Sequence, residues 1–367
     1  MIELNYNKSP NPTIGVELEL QILCKKTLAL SSRASEILSA VEPRYQVKIK
    51  QEFLQSMVEI TTGICNNVAE VEADLSETYR YLEKLAESFN TFIYAASLHP
   101  FSTGDDQMLT EHPRYRRIMD ELQLVGIRFI TQGLHVHIGV DNEEKAIQTA
   151  NTMRVFLPLL LALTTSSPFY EGRDTGLYSY RTKLFEALPL AGMPDDLQGW
   201  QGYIDLVERL IHGGIIESFR DLWWDVRPHP AFGTVEIRVC DIPSSMRDIL
   251  ALTAMIQALV VSLSDKKGHT LPHIQILRAN KWQAARHGLE GVFVDPLHFE
   301  RMSVTEAVLE LYRFVEPAAR ELGGLGYLEG IKKILHKKTS AHLQKQLVAE
   351  GKCLQEVVQI VNKEFWL

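Results

Sequence analysis

The segment TIGVELELQI, residues 13–22, alternates apolar and polar side chains over its whole length. Successive side chains of a β-strand point to opposite faces, so one face of this segment carries only aliphatic groups. The other face carries Glu17, Glu19 and Gln21. The pattern predicts a strand over Thr13–Leu23 that buries one face in a core and presents carboxylates on the other.

Three further segments repeat this alternation: QSMVEIT (residues 55–61), GLHVHIGV (133–140) and GTVEIRVCD (233–241). The positions opposite their aliphatic residues hold Glu59, His135, His137, Glu236 and Arg238. Each strand alone fits an amphipathic strand with its polar face in water. Taken together, the four favour a shared polar site, because Glu, His and Arg replace the Lys, Thr, Ser and Gln expected of solvated faces.

The rest of the chain predicts an α+β fold with an antiparallel or mixed sheet, since the strands are not evenly interleaved with helices. We expect one domain over residues 1–367, sheet-rich over 1–245 and helical over 246–367. The other predicted strands are Ser56–Gly63, Phe92–Leu98, Gly133–Val140, Trp223–Arg227 and Thr234–Cys240. From the 3.6-residue spacing of apolar positions, helices are expected at 67–90, 112–124, 142–165, 200–213, 245–264, 272–288, 303–316, 325–337, 339–349 and 353–363.

Composition indicates a globular protein with no obvious nucleic-acid-binding face. The 367 residues are 46% hydrophobic and 23% charged, with a net charge of −8 and dispersed Lys and Arg. The four cysteines form no CxxC pair, which favours a reducing compartment over a zinc ribbon. No leader pattern precedes the first strand, and the apolar run 155–163 is too short to cross a bilayer. We therefore expect a cytoplasmic protein with no membrane partner.

Glutamates on neighbouring strands would repel one another unless a cation lay among them. Mg²⁺ suits such oxygen-rich sites and binds phosphates, whereas zinc usually takes thiolates or several histidines. A GxxxxGK[ST] loop and a GxGxxG turn are both absent from the sequence, and the glycines between 323 and 330 predict a helix–helix turn. A nucleotide would thus be held by metals and arginines.

Five motifs together resemble the glutamate–cysteine ligase type 2 family of YbdK-like carboxylate–amine ligases. They are GVELEL, QSMVEITTGIC, LHVHIG, WWDVRPHPAFGTVEIRVCD and NKWQAARHGLEG, and the similarity runs from about residue 13 to 295. The resemblance implies a glutamine-synthetase-like core, in which a curved antiparallel sheet has helices on its convex face and a funnel on its concave face. It also implies ATP and Mg²⁺ as cofactors, and glutamate and an amine such as cysteine as substrates.

The resemblance implies roles for individual residues. Two metal sites are expected, one from Glu19, Glu52 and Glu59 and one from Glu17, His137 and Glu236. Arg238 is expected at the transferring phosphate, and Arg227, with His137, beside the ATP phosphates. Arg181 resembles the arginine that binds the substrate carboxylate. Gln55 departs from the pattern, since some relatives have glutamate there.

Each assignment has a simpler alternative. Glu52 also fits a surface acid, His135 a supporting or packed polar residue, and Arg227 an ion-pair partner of Asp225 or Asp241. Trp282 fits helix packing as well as a substrate lid. For the whole chain, the alternatives are a guanidino-kinase-like phosphotransferase and a non-catalytic metal- or nucleotide-binding module. The oligomeric state is open, and a homo-oligomer is compatible with the sequence.

Overall fold

A seven-stranded antiparallel sheet forms the centre of the computed structural model, which describes residues 4–264 and 272–367. Its strand order is β2-β3-β1-β5-β9-β8, and β4 pairs with the C-terminal end of β1. The strands are β1 Ile14–Cys24, β2 Ile49–Gln51, β3 Met57–Thr61, β4 Thr91–Tyr94, β5 Leu134–Gly139, β8 Val226–His229 and β9 Thr234–Cys240. Two small hairpins pair β6 Phe169–Tyr170 with β7 Arg173–Asp174 and β10 Val292–Val294 with β11 Arg301–Ser303.

Helices pack on this sheet and make up most of the described chain beyond β9. They are α1 Ala34–Ser39, α2 Val68–Glu87, α3 Pro113–Leu122, α4 Leu124–Ile127, α5 Glu143–Met153, α6 Leu157–Thr164, α7 Arg181–Glu186, α8 Gly199–His212, α9 Met246–Ser264, α10 Ile274–His287, α11 Val304–Glu321, α12 Leu325–Leu328, α13 Gly330–Lys337, α14 Ser340–Ala349 and α15 Leu354–Lys363.

One face of the sheet is almost entirely apolar and is covered by helices. The aliphatic side chains of β1, including Leu18 and Leu20, are buried; β1 packs on α2, β5 packs on α9, and β8 and β9 pack on α5. The main core contains residues from both halves of the chain, from Ile14 to Phe365. Helix α9 is long and apolar enough to span a membrane, but 83% of its apolar window is buried, as expected of a core helix. We call the opposite, polar face of the sheet the open face.

The predicted fold class is confirmed, and several element boundaries are corrected. The strand predicted at Trp223–Arg227 begins later, because Trp224 and Asp225 instead pair with the main chain at Gly192. Strand β2 was missed, since three residues are too few to show alternation. The single helix predicted over 142–165 is two helices, α5 and α6, which meet at an angle of 63° just before Pro158. Proline lacks the N–H that a continuous helix needs and clashes with the preceding turn.

Smaller differences separate other predicted elements from the observed ones. Helix α11 continues through Pro317 to Glu321 rather than ending at 316, while the segments predicted as single helices at 112–124 and 325–337 are each divided into two. The turn at Phe232-Gly233 connects β8 to β9. Gly233 has a φ of +66°, and a Cβ there would lie 1.5 Å from the carbonyl oxygen of Asn7, so only glycine fits.

Candidate active site

The strand register brings the polar residues of the open face together. Glu19 pairs with Glu59 across β1 and β3, and Glu17 pairs with His135 across β1 and β5. His137 pairs with Glu236 across β5 and β9, and Arg227 pairs with Glu236 across β8 and β9. Paired side chains on one face lie about 5 Å apart. The register therefore builds a continuous row of carboxylates, imidazoles and guanidinium groups over five strands.

Glu19, Glu52 and Glu59 form the first group, which we call the acidic trio. One carboxylate oxygen from each lies within 4.8 Å of the others. Burial, followed by the charges of Glu17, Glu52 and Glu19, raises the pKa of Glu59 well above its usual value. Burial and Glu19 likewise raise the pKa of Glu52 to about 7. The trio is thus a set of carboxylates that burial and mutual repulsion make costly to ionise together.

The cationic contacts of the trio are few. Lys50 lies 3.7 Å from Glu59, but its side chain is 49% exposed. Glu19 accepts a hydrogen bond from the main-chain N–H of Gly133 at 2.6 Å. Burial still raises the pKa of Glu19, against the opposing charges of Arg181 and Arg238. Glu52 lies beside Glu19 and Glu59, which argues against the alternative that it is a surface acid in water.

Glu17, His135, His137 and Glu236 form the second group, which we call the histidine–glutamate group. Glu17 contacts Nδ1 of His135 at 3.2 Å and Nε2 of His137 at 3.3 Å. Burial would raise the pKa of Glu17, but hydrogen bonds from the two imidazoles hold it well below its usual value. Nitrogen or oxygen atoms of Glu17, His135 and Glu236 lie within 4.8 Å of one another. His135, predicted as a supporting residue, thus stands as a ligand candidate beside His137.

Two arginines compensate Glu236, which is 1% exposed. Arg227 donates to it from Nε at 2.6 Å, and Arg238 pairs with it along β9. Burial would raise the pKa of Glu236, but Arg227 and Arg238 hold it well below its usual value. The predicted alternative partners of Arg227, Asp225 and Asp241, are not within ion-pairing distance of it among the described residues.

Arg181 lies behind this group rather than in the cavity in front of it. Its guanidinium donates to the carbonyl oxygens of Val239 and Arg238, each at 3.3 Å, and lies 3.9 Å from the buried Asp241. These contacts brace the end of β9, so its role as a substrate-binding arginine stays a prediction. Gln55 accepts hydrogen bonds from Ser35 through its side-chain oxygen, which explains how a glutamine is accommodated there.

A cavity of about 470 Å³ opens in front of both groups. Beside the ionisable residues, Phe53, Tyr115, Phe129 and Phe185 form an apolar wall. Arg114, Arg220 and His229 also line it and were missed by sequence reasoning, together with Tyr115. His229 shares its face of β8 with Arg227, so alternation could have found it. Helix α3, which carries Arg114 and Tyr115, has no buried residue and gave no comparable signal.

The profile of the family described as glutamate-cysteine ligase family 2 matches residues 13–360. The chain belongs to this family. A provisionally named glutamate–cysteine ligase 2 from Gloeobacter violaceus is 38% identical over 359 residues, which cover 96% of each chain. One from Thermobifida fusca, also provisionally named, is 34% identical over 99% of this chain and 93% of its own.

Solved structures show the same fold at low identity. A glutamate–cysteine ligase from Francisella tularensis in complex with AMP gives a TM-score of 0.72 at 15% identity, covering 98% of this chain and 90% of its own. A bifunctional glutathione synthetase from Pasteurella multocida gives 0.73 at 14%, covering 96% of this chain and 52% of its own. Family membership confirms the predicted family and enzyme class, an ATP-dependent ligase that forms a C–N bond, over the alternative of a non-catalytic module.

Proposed function

We propose that the enzyme joins the γ-carboxylate of glutamate to an amine, with cysteine as one acceptor, through a γ-glutamyl phosphate. The observation that carries the proposal is the convergence of the acidic trio, the histidine–glutamate group and two arginines on the open face, where Glu17, His135 and both arginines line the same cavity as the trio. Binding alone rarely requires so many buried charges, whereas phosphoryl transfer requires charge stabilisation on every side of the reacting phosphate.

The residues of both groups fit Mg²⁺. Each group brings together carboxylates, half-buried in the trio, that supply the oxygen ligands that this ion prefers. Nε2 of His135 is buried and lacks a hydrogen-bond partner among the described residues, and Nε2 of His137 lies 3.3 Å from Glu17. We infer that the trio holds one ion and that Glu17, Glu236 and a histidine hold another. Bound Mg²⁺ would neutralise phosphate charge and orient the phosphates.

The chain's own residues set up the reaction. Arg238 is partly free, because its Nε is buried without a hydrogen-bond partner among the described residues, so it can donate to a transferring phosphoryl group. Arg227 is fixed by Glu236 and by the carbonyl oxygens of Arg220 and Leu222, and it presents its charge at the same wall. The cavity separates these cations from bulk water, which strengthens their electrostatic effect.

The proposed reaction consists of two successive displacements. The γ-carboxylate oxygen attacks the γ-phosphorus of ATP, the bond to the β-phosphate oxygen breaks, and ADP leaves. The amine nitrogen attacks the resulting acyl phosphate, loses a proton, and inorganic phosphate leaves with the C–O electron pair. Each turnover consumes one ATP and yields one amide, one ADP and one phosphate.

Trapping the acyl phosphate tests the proposal. With ATP, Mg²⁺ and L-glutamate, added hydroxylamine should give γ-glutamyl hydroxamate together with ADP and phosphate, and omission of glutamate should abolish all three. ADP formed without phosphate or hydroxamate, over a broad panel of amines, would instead support the phosphotransferase. Replacing hydroxylamine by cysteine, and following loss of amine against loss of thiol, tests cysteine as the acceptor.

A further inference from the structure

Lys281 is a fully buried cation that belongs to neither the acidic trio nor the histidine–glutamate group. Its side chain is 2% exposed, and Nζ lies 2.5 Å from Oδ2 of Asp225 and 2.8 Å from Oε1 of Glu186. Burial would lower the pKa of Lys281, but Asp225 and Glu186 outweigh it and raise the pKa above its usual value. The residue is thus a charged lysine enclosed between two carboxylates.

Its neighbours in the NKWQAARHGLEG motif have other tasks. The Asn280 side chain exchanges hydrogen bonds with the main chain of Val294, which ties α10 to β10. Trp282 is 45% exposed and lies against Lys183. Neither contacts the cavity, so helix packing explains both. Lys281 alone extends from this motif toward the strand that carries Arg227.

Asp225 lies next to Arg238. Arg227 pairs with Glu236 and Val226 with Ile237, so the next position of the register sets Asp225 beside Arg238. The main-chain N–H of Arg238 donates to the carbonyl oxygen of Asp225 at 2.8 Å. Side chains at such positions lie within reach of each other. Asp225 is therefore a buried carboxylate one strand away from the arginine proposed to act at the phosphate.

Among the described residues, 4–264 and 272–367, Lys281 is the only ion-pair partner within 4 Å of Asp225. Glu186, in contrast, also pairs with Lys183 at 2.5 Å. Loss of the Lys281 charge would thus leave Asp225 as a buried carboxylate without a cation, while Glu186 would keep one. A buried unpaired charge is costly, so a nearby flexible cation tends to move toward it.

We propose that Lys281 is a positioning residue. By pairing with Asp225 it neutralises that carboxylate, so the Arg238 guanidinium stays directed at the reaction centre. In this arrangement Arg238 contacts Glu236 and lies 3.5 Å from Nδ1 of His135, inside the cavity. Without Lys281, Asp225 would draw Arg238 along the sheet and away from the phosphate. The inference rests on the proposed role of Arg238.

The test compares ATP turnover in four proteins: wild type, Lys281→Met, Asp225→Asn/Lys281→Met and the control Lys183→Met. The control removes the other lysine beside Glu186 without touching Asp225. Melting curves first set an assay temperature at which all four are folded. ADP release and γ-glutamyl hydroxamate formation are then measured in the same assay. If the wild type releases ADP without forming hydroxamate, the proposed ligase reaction is refuted. The ADP-release rates of the four proteins still decide the role of Lys281 in that case.

We expect Lys281→Met to lower kcat at least about tenfold with KM for ATP changed less than about threefold, since the loss is in the transition state. The double variant should recover to within about threefold of wild type, because it has no unpaired carboxylate to attract Arg238. Lys183→Met should match wild type. If Lys281→Met does not fold, Lys281→Gln and its Asp225→Asn double variant must show the same loss and recovery.

A merely structural Lys281 gives a different result. Folded Lys281→Met would then turn over ATP at the wild-type rate, or the double variant would be no faster than the single one although both are folded. Either result would overturn the proposal.

Discussion

The acidic trio and Glu236 contrast two ways of burying a carboxylate. Glu236 has two arginines within its own hairpin, and its pKa is held well below the usual value mainly by these charges, against burial. Glu59 has other glutamates around it, and burial together with these charges raises its pKa well above the usual value. The two sites lie on one sheet face, and the arginines that pair with Glu236 line the same cavity as the trio.

The protein's own arginines balance the charge of Glu236, whereas no buried cation of comparable strength balances the charges of the acidic trio in the described part of the chain. The Glu236 charge is balanced by Arg227 and Arg238, so this carboxylate is already compensated without a bound cation. The trio gains most from an added cation, and Lys50, the lysine that pairs with it in the described part of the chain, is half exposed to water. We infer that Glu236, besides contributing to the second metal site, holds two arginines for phosphate, whereas the trio holds only a metal ion.

Removal of the Glu236 charge should have the largest effect on stability. Glu236→Gln leaves Arg227 and Arg238 buried without their shared carboxylate, which should lower the free energy of unfolding by about 3–5 kcal/mol. Urea denaturation measures this change. The control Glu316→Gln breaks an exposed pair with Arg320 and should cost less than about 1 kcal/mol. Equal effects of the two would mean that Glu236 is not the balancing charge.

Arg238→Lys should chiefly affect rate. A planar guanidinium can hold two phosphoryl oxygens at once and an ammonium cannot. We expect kcat to fall about 10²-fold, or about 3 kcal/mol, with a small change in KM for ATP. Steady-state kinetics of ADP release provide the measurement. Activity within about threefold of wild type would show that Arg238 only supports Glu236.

Lys50→Met should have the smallest effect. The pair with Glu59 is long, at 3.7 Å, and Lys50 is half exposed. Exposed pairs contribute about 0–1 kcal/mol, so the free energy of metal-free unfolding should change by less than about 1 kcal/mol. A loss of several kcal/mol in a chemical denaturation curve would mean that Lys50 already balances the trio, and the contrast with Glu236 would disappear.

The sequence predicted the clustering of polar residues on one sheet face more fully than the bounds of the helices and strands. Alternation alone placed Glu17, Glu19, Glu59 and Glu236 on one face, since the period of a strand is two residues whatever its neighbours. Alternation could not decide whether His135 or His137 is the better ligand candidate, because both side chains lie on that face of β5. Glu52 lies outside any alternating strand, and only the family resemblance indicated it.

What was not predicted depends on contacts between distant segments. Arg181 faces the main chain of β9 rather than the cavity, which its local sequence does not determine. Lys281 and Asp225 are 56 residues apart, and their pairing follows from how α10 packs. The late start of β8 likewise reflects the hydrogen bond between Asp225 and Gly192. Such contacts carry no periodic pattern.

Thermal melts of wild type and Glu59→Gln, with and without Mg²⁺, test the central claim most directly. If the trio is an uncompensated metal site, the metal-free variant should melt above wild type, because one repelling charge is gone. Mg²⁺ at a hundredfold excess over Kd should stabilise wild type by about 2.7 kcal/mol and the variant far less. A metal-free variant that melts at or below wild type, with an equal response to Mg²⁺, would contradict the claim.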